Sequence, residues 1–178
     1  MLGPRRRRLE PSLTNVVVSP EAMAGIQARL RQLVREAGAT CALLVDHGGQ
    51  VIGASGDVDG RELVSLGALL AGNFASAREI ARLLKEPHFT VSFQQGTREH
   101  VLTSLVGERC LLSVLFHVGG HLGLVKLLTS RAAGDLAVVL EAGIRQALAN
   151  GIDTASFRRA AERGIDNWLV ERVDERLG

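Results

Sequence analysis

The sequence predicts an α+β fold: a five-stranded antiparallel sheet with flanking helices, plus an appended C-terminal amphipathic helix. Three observations predict it. Apolar residues recur at three- and four-residue spacing in four long segments, which is the helical period. Between those segments lie short β-branched and apolar runs parted by glycine turns, and strands joined by tight turns pair antiparallel. The content of 46% hydrophobic and 22% charged residues is that of a globular domain with material for a core.

The elements follow in order. Residues 1–18 open on MLGPRRRRLEPSLTN, a polar, proline-containing tail expected to be disordered. Ser19-Pro20 starts a helix as N-cap and first-turn proline, with Met23, Ile26, Leu30, Leu33 and Val34 on one face and Gly38 as its C-cap. Thr40–Asp46 and Gln50–Ala54 form a hairpin about His47-Gly48-Gly49.

Residues 61–86 then read as one long helix, with Asp59 and Glu62 spaced as a capping box and Pro87 as its stop. Its large stripe is Leu63, Leu66, Leu70, Phe74 with Ala77, Ile80 or Ala81, and Leu84, made to lie on a sheet. A second stripe holds Ala68, Ala71, Gly72, Ala75 and Ser76. Small residues let another backbone come close, so this face either meets a second partner or simply tolerates water, alanine being the best helix former.

Three strands follow. Residues 89–95 alternate, with Phe89, Val91 and Phe93 on one side. Glu99–Val106 is next, and the nearly all-apolar run 110–118, CLLSVLFHV, reads as a central strand covered on both faces or as a dimer seam. Residues 122–149 form another long helix, in which Gly123, Gly134 and Gly143 mark a kink or a close contact. A domain over 19–150 thus precedes residues 151–178. There Phe157, Ala161, Ile165 and Leu169 recur every four residues beside the single Trp168, and the helix either folds back on its own core or docks on a partner.

Composition excludes several functions. The net charge of +2 is concentrated in Arg5, Arg6, Arg7 and Arg8, so the body carries no basic field for nucleic acid. That arginine run is a solvated tail or a weak tether to anionic lipid or an acidic partner. No apolar run reaches the roughly 20 residues of a membrane span, and no apolar h-region follows the arginines, so a cytoplasmic chain is expected.

No catalytic set stands up. Gly119-Gly120 with Gly123 follows a strand outside any parallel βαβ unit. His117 and His121 flank two glycines and lack a third ligand. Cys41 and Cys110 lie in apolar runs without a paired base. No cofactor is called for, and a small-molecule sensor fits poorly with large apolar sheet residues and 3% aromatics. Binding another protein is the expected work.

Several strings resemble the Roadblock/light-chain-7 family and, within it, the bacterial MglB-like branch. They are LLVDHGGQVIGASG (43–56), SLGALLAGNFASAREIARLL (65–84), FTVSFQQG (89–96), VGERCLLSVLFH (106–117), LGLVKL (122–127) and AERGIDNWL (161–169). Ala71-Gly72-Asn73 and Leu122-Gly123-Leu124-Val125-Lys126 are the most telling.

The resemblance implies a homodimer whose sheets join across a two-fold axis with the long helices side by side, using Ala68, Ala71, Phe74, Val91 and Phe93. It implies a partner, a small Ras-like GTPase of the MglA type, whose GTP hydrolysis is stimulated by rearranging its switch regions without an inserted arginine. The expected partner contacts are Gly72, Ala75, Ser76 and Glu79, with Ile165, Trp168 and Leu169 in the tail. It also implies a role in cell polarity and motility at a polar cytoplasmic location. One departure is Arg78-Glu79, charged where the branch favours small or uncharged residues; a changed partner, or a dimeric scaffold without GTPase activation, is the alternative.

Overall fold

The computed structural model describes residues 18–149. The basic tail before Val18 and the C-terminal segment from 150, with Ile165, Trp168 and Leu169, lie outside the described residues. The elements run α1 (Pro20–Ala37), β1 (Cys41–Asp46), β2 (Val51–Gly56), α2 (Gly60–Leu84), β3 (Val91–Gln95), β4 (Glu99–Val106), β5 (Cys110–His117) and α3 (Leu122–Ala149). The predicted order holds, with boundaries shifted by one or two residues.

The local signals act as expected. The Ser19 hydroxyl accepts from the Ala22 amide at 3.3 Å, and Gly38 closes α1 in the left-handed conformation at φ 58°. The five strands form one antiparallel sheet in the order β2-β1-β5-β4-β3. The hairpins β1–β2, β3–β4 and β4–β5 are local. The join between β1 and β5 is not: Cys41 pairs with Leu115 and Asp46 with Cys110, partners 74 and 64 residues apart in the chain. This places β5 in the middle of the sheet, covered on both faces. Its one polar residue within the covered stretch, Ser113, is fully buried, and its hydroxyl lies 2.9 Å from that of Thr103 on β4.

The core divides by sheet face. Ala42, Leu44, Leu102, Leu112, Val114 and Phe116 meet α1 and α3 through Ile26, Leu30, Leu33, Val125, Ala132 and Leu136. Cys41, Leu43 and Val45 meet Leu63 and Leu70 of α2, and Leu111 meets Ala71 and Phe74. Side chains alternate across a strand, so one set of strands serves both layers.

Two of the α3 glycines differ sharply. A Cβ on Gly143 would stand 2.5 Å from the Ala22 Cβ, so this glycine is where α3 crosses α1 at close range. Gly134 is exposed, with nothing within 4 Å of an added Cβ. Gly134→Ala is expected to raise stability by ~0.5–1 kcal/mol through helix propensity. Gly143→Ala gains the same propensity but forces the helices apart, with a net loss of about 1–3 kcal/mol. Denaturant midpoints of the two variants should move in opposite directions.

Candidate functional site

The outer face of α2 is where the fold leaves apolar surface open. Val64 is 64% exposed, Leu69 71%, Ile80 51%, Leu83 72% and Leu84 63%. Ala68, Gly72, Ala75, Ser76 and Glu79 lie exposed among them. The sheet-facing stripe is held by Leu63, Leu70, Phe74 and Ala81, all nearly buried. One open alternative in that stripe is settled and one expectation, Leu84, is corrected. Of Ile80 and Ala81, the sheet takes Ala81. Leu84 turns outward, because from Arg82 to His88 every residue is exposed and α2 has run beyond its support.

The β1–β2 hairpin carries this helix. A Cβ on Gly67 would meet the Gly49 carbonyl oxygen at 2.7 Å, and one on Gly49 would meet the Ala68 Cα at the same distance. The helix therefore rests on the turn backbone to backbone, and Gly49, at φ 88°, lets the turn pass beneath it. Asp46 shapes that turn: its Oδ1 accepts from the Gly48 and Gln50 amides, each at 2.9 Å. His47 then sets its ring edge toward Phe74, with centroids 6.4 Å apart, and its Nδ1 lies 3.4 Å from the Arg78 guanidinium.

The two departures from the branch pattern are thus partnered within the chain. Arg78 reaches the hairpin, and Glu79 accepts from Arg82 Nε at 2.9 Å across one helical turn. The Ser76 hydroxyl donates to the Gly72 carbonyl at 3.0 Å, leaving that side of the helix with few demanding polar groups.

The five residues expected at a dimer contact do not form one patch. Ala68 is exposed on α2, but Ala71 and Phe74 are 7% and 3% exposed against the protomer's own sheet. Val91 and Phe93, 37% and 38% exposed, lie on the other face of the sheet from α2. Phe93 pairs in register with Leu102, stacks on Phe116 and meets His100 edge-on, all on the α1–α3 side. Among the described residues β3 pairs with β4 alone, so its outer edge keeps open backbone groups. Of the apolar outer positions, Leu69 and Leu83 were missed by sequence reasoning and Ile80 was named only as a sheet-facing alternative. Their three- and eleven-residue spacing repeats the helical period half a turn out of phase with the sheet stripe, and that was the available signal.

Burial governs the titrating groups. It pushes the Asp46 carboxyl above its usual 3.8, against the hydrogen bonds from Gln50 and Gly48. It pushes His47 below 6.5, helped by the Arg78 charge. The Cys110 thiol is pushed up to about 12, so it stays protonated at neutral pH. A raised carboxyl contributes stability that is complete below the unfolded value and is lost as pH rises through the folded one. Asp46→Asn keeps the Oδ1 acceptor and removes the buried charge, so its melting temperature at about pH 7 should equal or exceed that of the parent. Asp46→Ala, which deletes the acceptor of both amides, should cost about 1–3 kcal/mol. His47 acts in the opposite direction, its contribution being lost as pH falls from 6.5 toward the lowered value. His47→Gln should flatten that acid limb in a series of thermal melts.

Among the described residues no group of three or more His, Cys, Asp or Glu side chains is placed to hold a metal, and no helix is long and apolar enough to cross a membrane. Residues 26–116 match the Roadblock/LC7 domain family. The chain belongs to that family. Among solved structures this Roadblock/LC7 chain is similar to Myxococcus xanthus MglB, with 32% identity, 71% of this chain and 95% of that one covered, and a TM-score of 0.67. It is equally similar to the gliding protein MglB of Thermus thermophilus, at 32% identity, 72% and 98% coverage and a TM-score of 0.68. A further MglB structure, described as a tetrameric arrangement, also shares 32% identity, with 71% and 96% coverage and a TM-score of 0.68. No curated protein matches the chain.

Proposed function

We propose that this chain is a homodimeric regulator of a small Ras-like GTPase of the MglA type, and that it stimulates GTP hydrolysis by reorganising the partner's switch regions. The observation that carries this reading is the outer face of α2: a firmly supported helix that leaves large and small apolar residues open together, in a chain 32% identical to MglB. Two such helices related by a two-fold axis make one self-complementary platform. The open edge of β3 allows the sheets to continue across the same axis, with Val91 and Phe93 beside the seam. Ala68 lies at the helix contact, while Ala71 and Phe74 support it from beneath.

On this reading Gly72, Ala75, Ser76 and Glu79 face the GTPase, and Ile165, Trp168 and Leu169 add a second contact from the tail. The chain contributes no catalytic group of its own. Phosphoryl transfer depends on positioning and electrostatics, so a partner that fixes the switch regions can accelerate it. The setting is cytoplasmic and polar, with Arg5–Arg8 as at most a weak membrane tether.

The Arg78 and Glu79 charges on this helix favour one second reading, a dimeric scaffold that binds a partner without accelerating hydrolysis. GTP turnover by the MglA-type GTPase of the same organism, with and without this chain, separates the two. A clear rise supports the activating role. Binding without a rise moves the assignment to the scaffold, and no binding overturns both for that GTPase.

A further inference from the structure

On the face of the sheet opposite α2, a groove of about 460 Å³ lies between the β4–β5 turn and the second half of α3. Val106, Ala137, Leu140 and Ile144 give it an apolar lining, and Glu108, Arg109, Glu141 and Arg145 stand at its rim. The turn closes against the helix where a Cβ on Gly107 would lie 3.9 Å from that of Ala137. A space of this size takes a few side chains, within the roughly 300–1,000 Å³ of ordinary binding pockets. It lies beside the last turns of α3, which ends at Ala149.

We propose that the groove is the seat of the chain's own C-terminal segment, residues 153–166. Asn150-Gly151 has the composition of a tight connection, and two helices joined by a loop of about two to five residues return antiparallel. With residues 150–152 as the loop, position 153 stands opposite 149, and each later residue stands opposite one that much earlier. Phe157 then faces Ile144 and Arg145, Ala161 faces Leu140 and Glu141, and Ile165 faces Ala137. These are the α3 residues that line the groove. The four-residue apolar stripe of the segment thus coincides with the opening, and the small Ala161 falls at the middle of the contact. Arg158, Arg159, Glu162 and Arg163 flank the stripe, and the rim likewise carries both signs, Glu108 and Glu141 beside Arg109 and Arg145, so the match rests on the apolar stripe. The seat needs no GTPase. Only its consequence rests on the reading above: while the segment is seated, Ile165 is taken up by the groove and Trp168 and Leu169 are drawn along α3, and a partner must compete for all three.

Hydrogen exchange on the full chain tests this. The amides of 155–166 should exchange about tenfold or more slower than in Phe157→Ser or in Ala137→Arg, with β1 and β5 protected equally in all three. Phe157→Ser lies outside the described fold and carries the test if Ala137→Arg fails to fold. Free exchange of 155–166 in the parent chain would overturn the proposal, and so would protection that survives both changes. Protection that falls on dilution would assign the groove to the segment of a second copy and overturn it as well.

Discussion

A chain carrying Ala75→Arg together with Glu79→Arg is expected to lose its stimulation of GTP hydrolysis by about 100-fold or more, because two buried unpaired charges at a packed contact cost several kcal/mol. Both positions are exposed in the protomer, so the fold itself should change by no more than ~0.5 kcal/mol. The second substitution also removes the carboxylate that holds Arg82 and adds a cation to a helix turn already bearing Arg78 and Arg82. Val138→Arg is the matched control. Val138 is 69% exposed and apolar but lies on α3, beyond the opposite face of the sheet. Equal loss in both variants would show that the α2 face has no special part in the contact. Full activity in the double variant would remove the platform from the proposed mechanism.

Phe116→Ala is expected to have the largest effect on stability, a loss of about 3–5 kcal/mol. That is a substantial part of the ~5–15 kcal/mol that holds a domain of this kind folded. The ring is fully buried near the end of the central strand. It stacks on Phe93 at 6.5 Å and meets His100 edge-on at 5.3 Å. It also supports the entry to α3, since a Cβ on Gly120 would come within 3.1 Å of it. Little can collapse into the space it leaves, because β5, which carries it, and β4, which carries His100, are each hydrogen-bonded on both sides. Phe93→Ala removes a ring of the same size, but one 38% exposed on the edge strand, and should cost clearly less. Urea midpoints of the two variants give the comparison, and equal losses would contradict the ranking by burial.

Much of this was legible before any coordinates. The helices were marked by period and by their caps: Ser19-Pro20 and Gly38 bound α1, and the 3.6-residue stripe of α2 separates Leu63, Leu70 and Phe74 from Gly72, Ala75 and Ser76. The hairpins were marked by glycine turns between alternating runs. These signals are local, each set by neighbours within a few residues, so they survive in the sequence alone. The exposed small-residue face of α2 was legible for the same reason, as a second stripe on one helix.

What the tertiary structure alone decided is long-range. Nothing in CLLSVLFHV says that β5 pairs with β1, because a run apolar on both sides can sit beside any strand; the order β2-β1-β5-β4-β3 follows from which packing buries both faces at once. That choice put Phe93 on the α1–α3 side and Ala68 on the other, dividing residues that the family resemblance had placed together. It set Ala81 under the sheet and Ile80 outside it, where the helical period allowed either. It also brought His47 to Arg78 across the hairpin and the helix. Each depends on where a second element comes to lie, and burial, unlike period, is a property of the assembled fold.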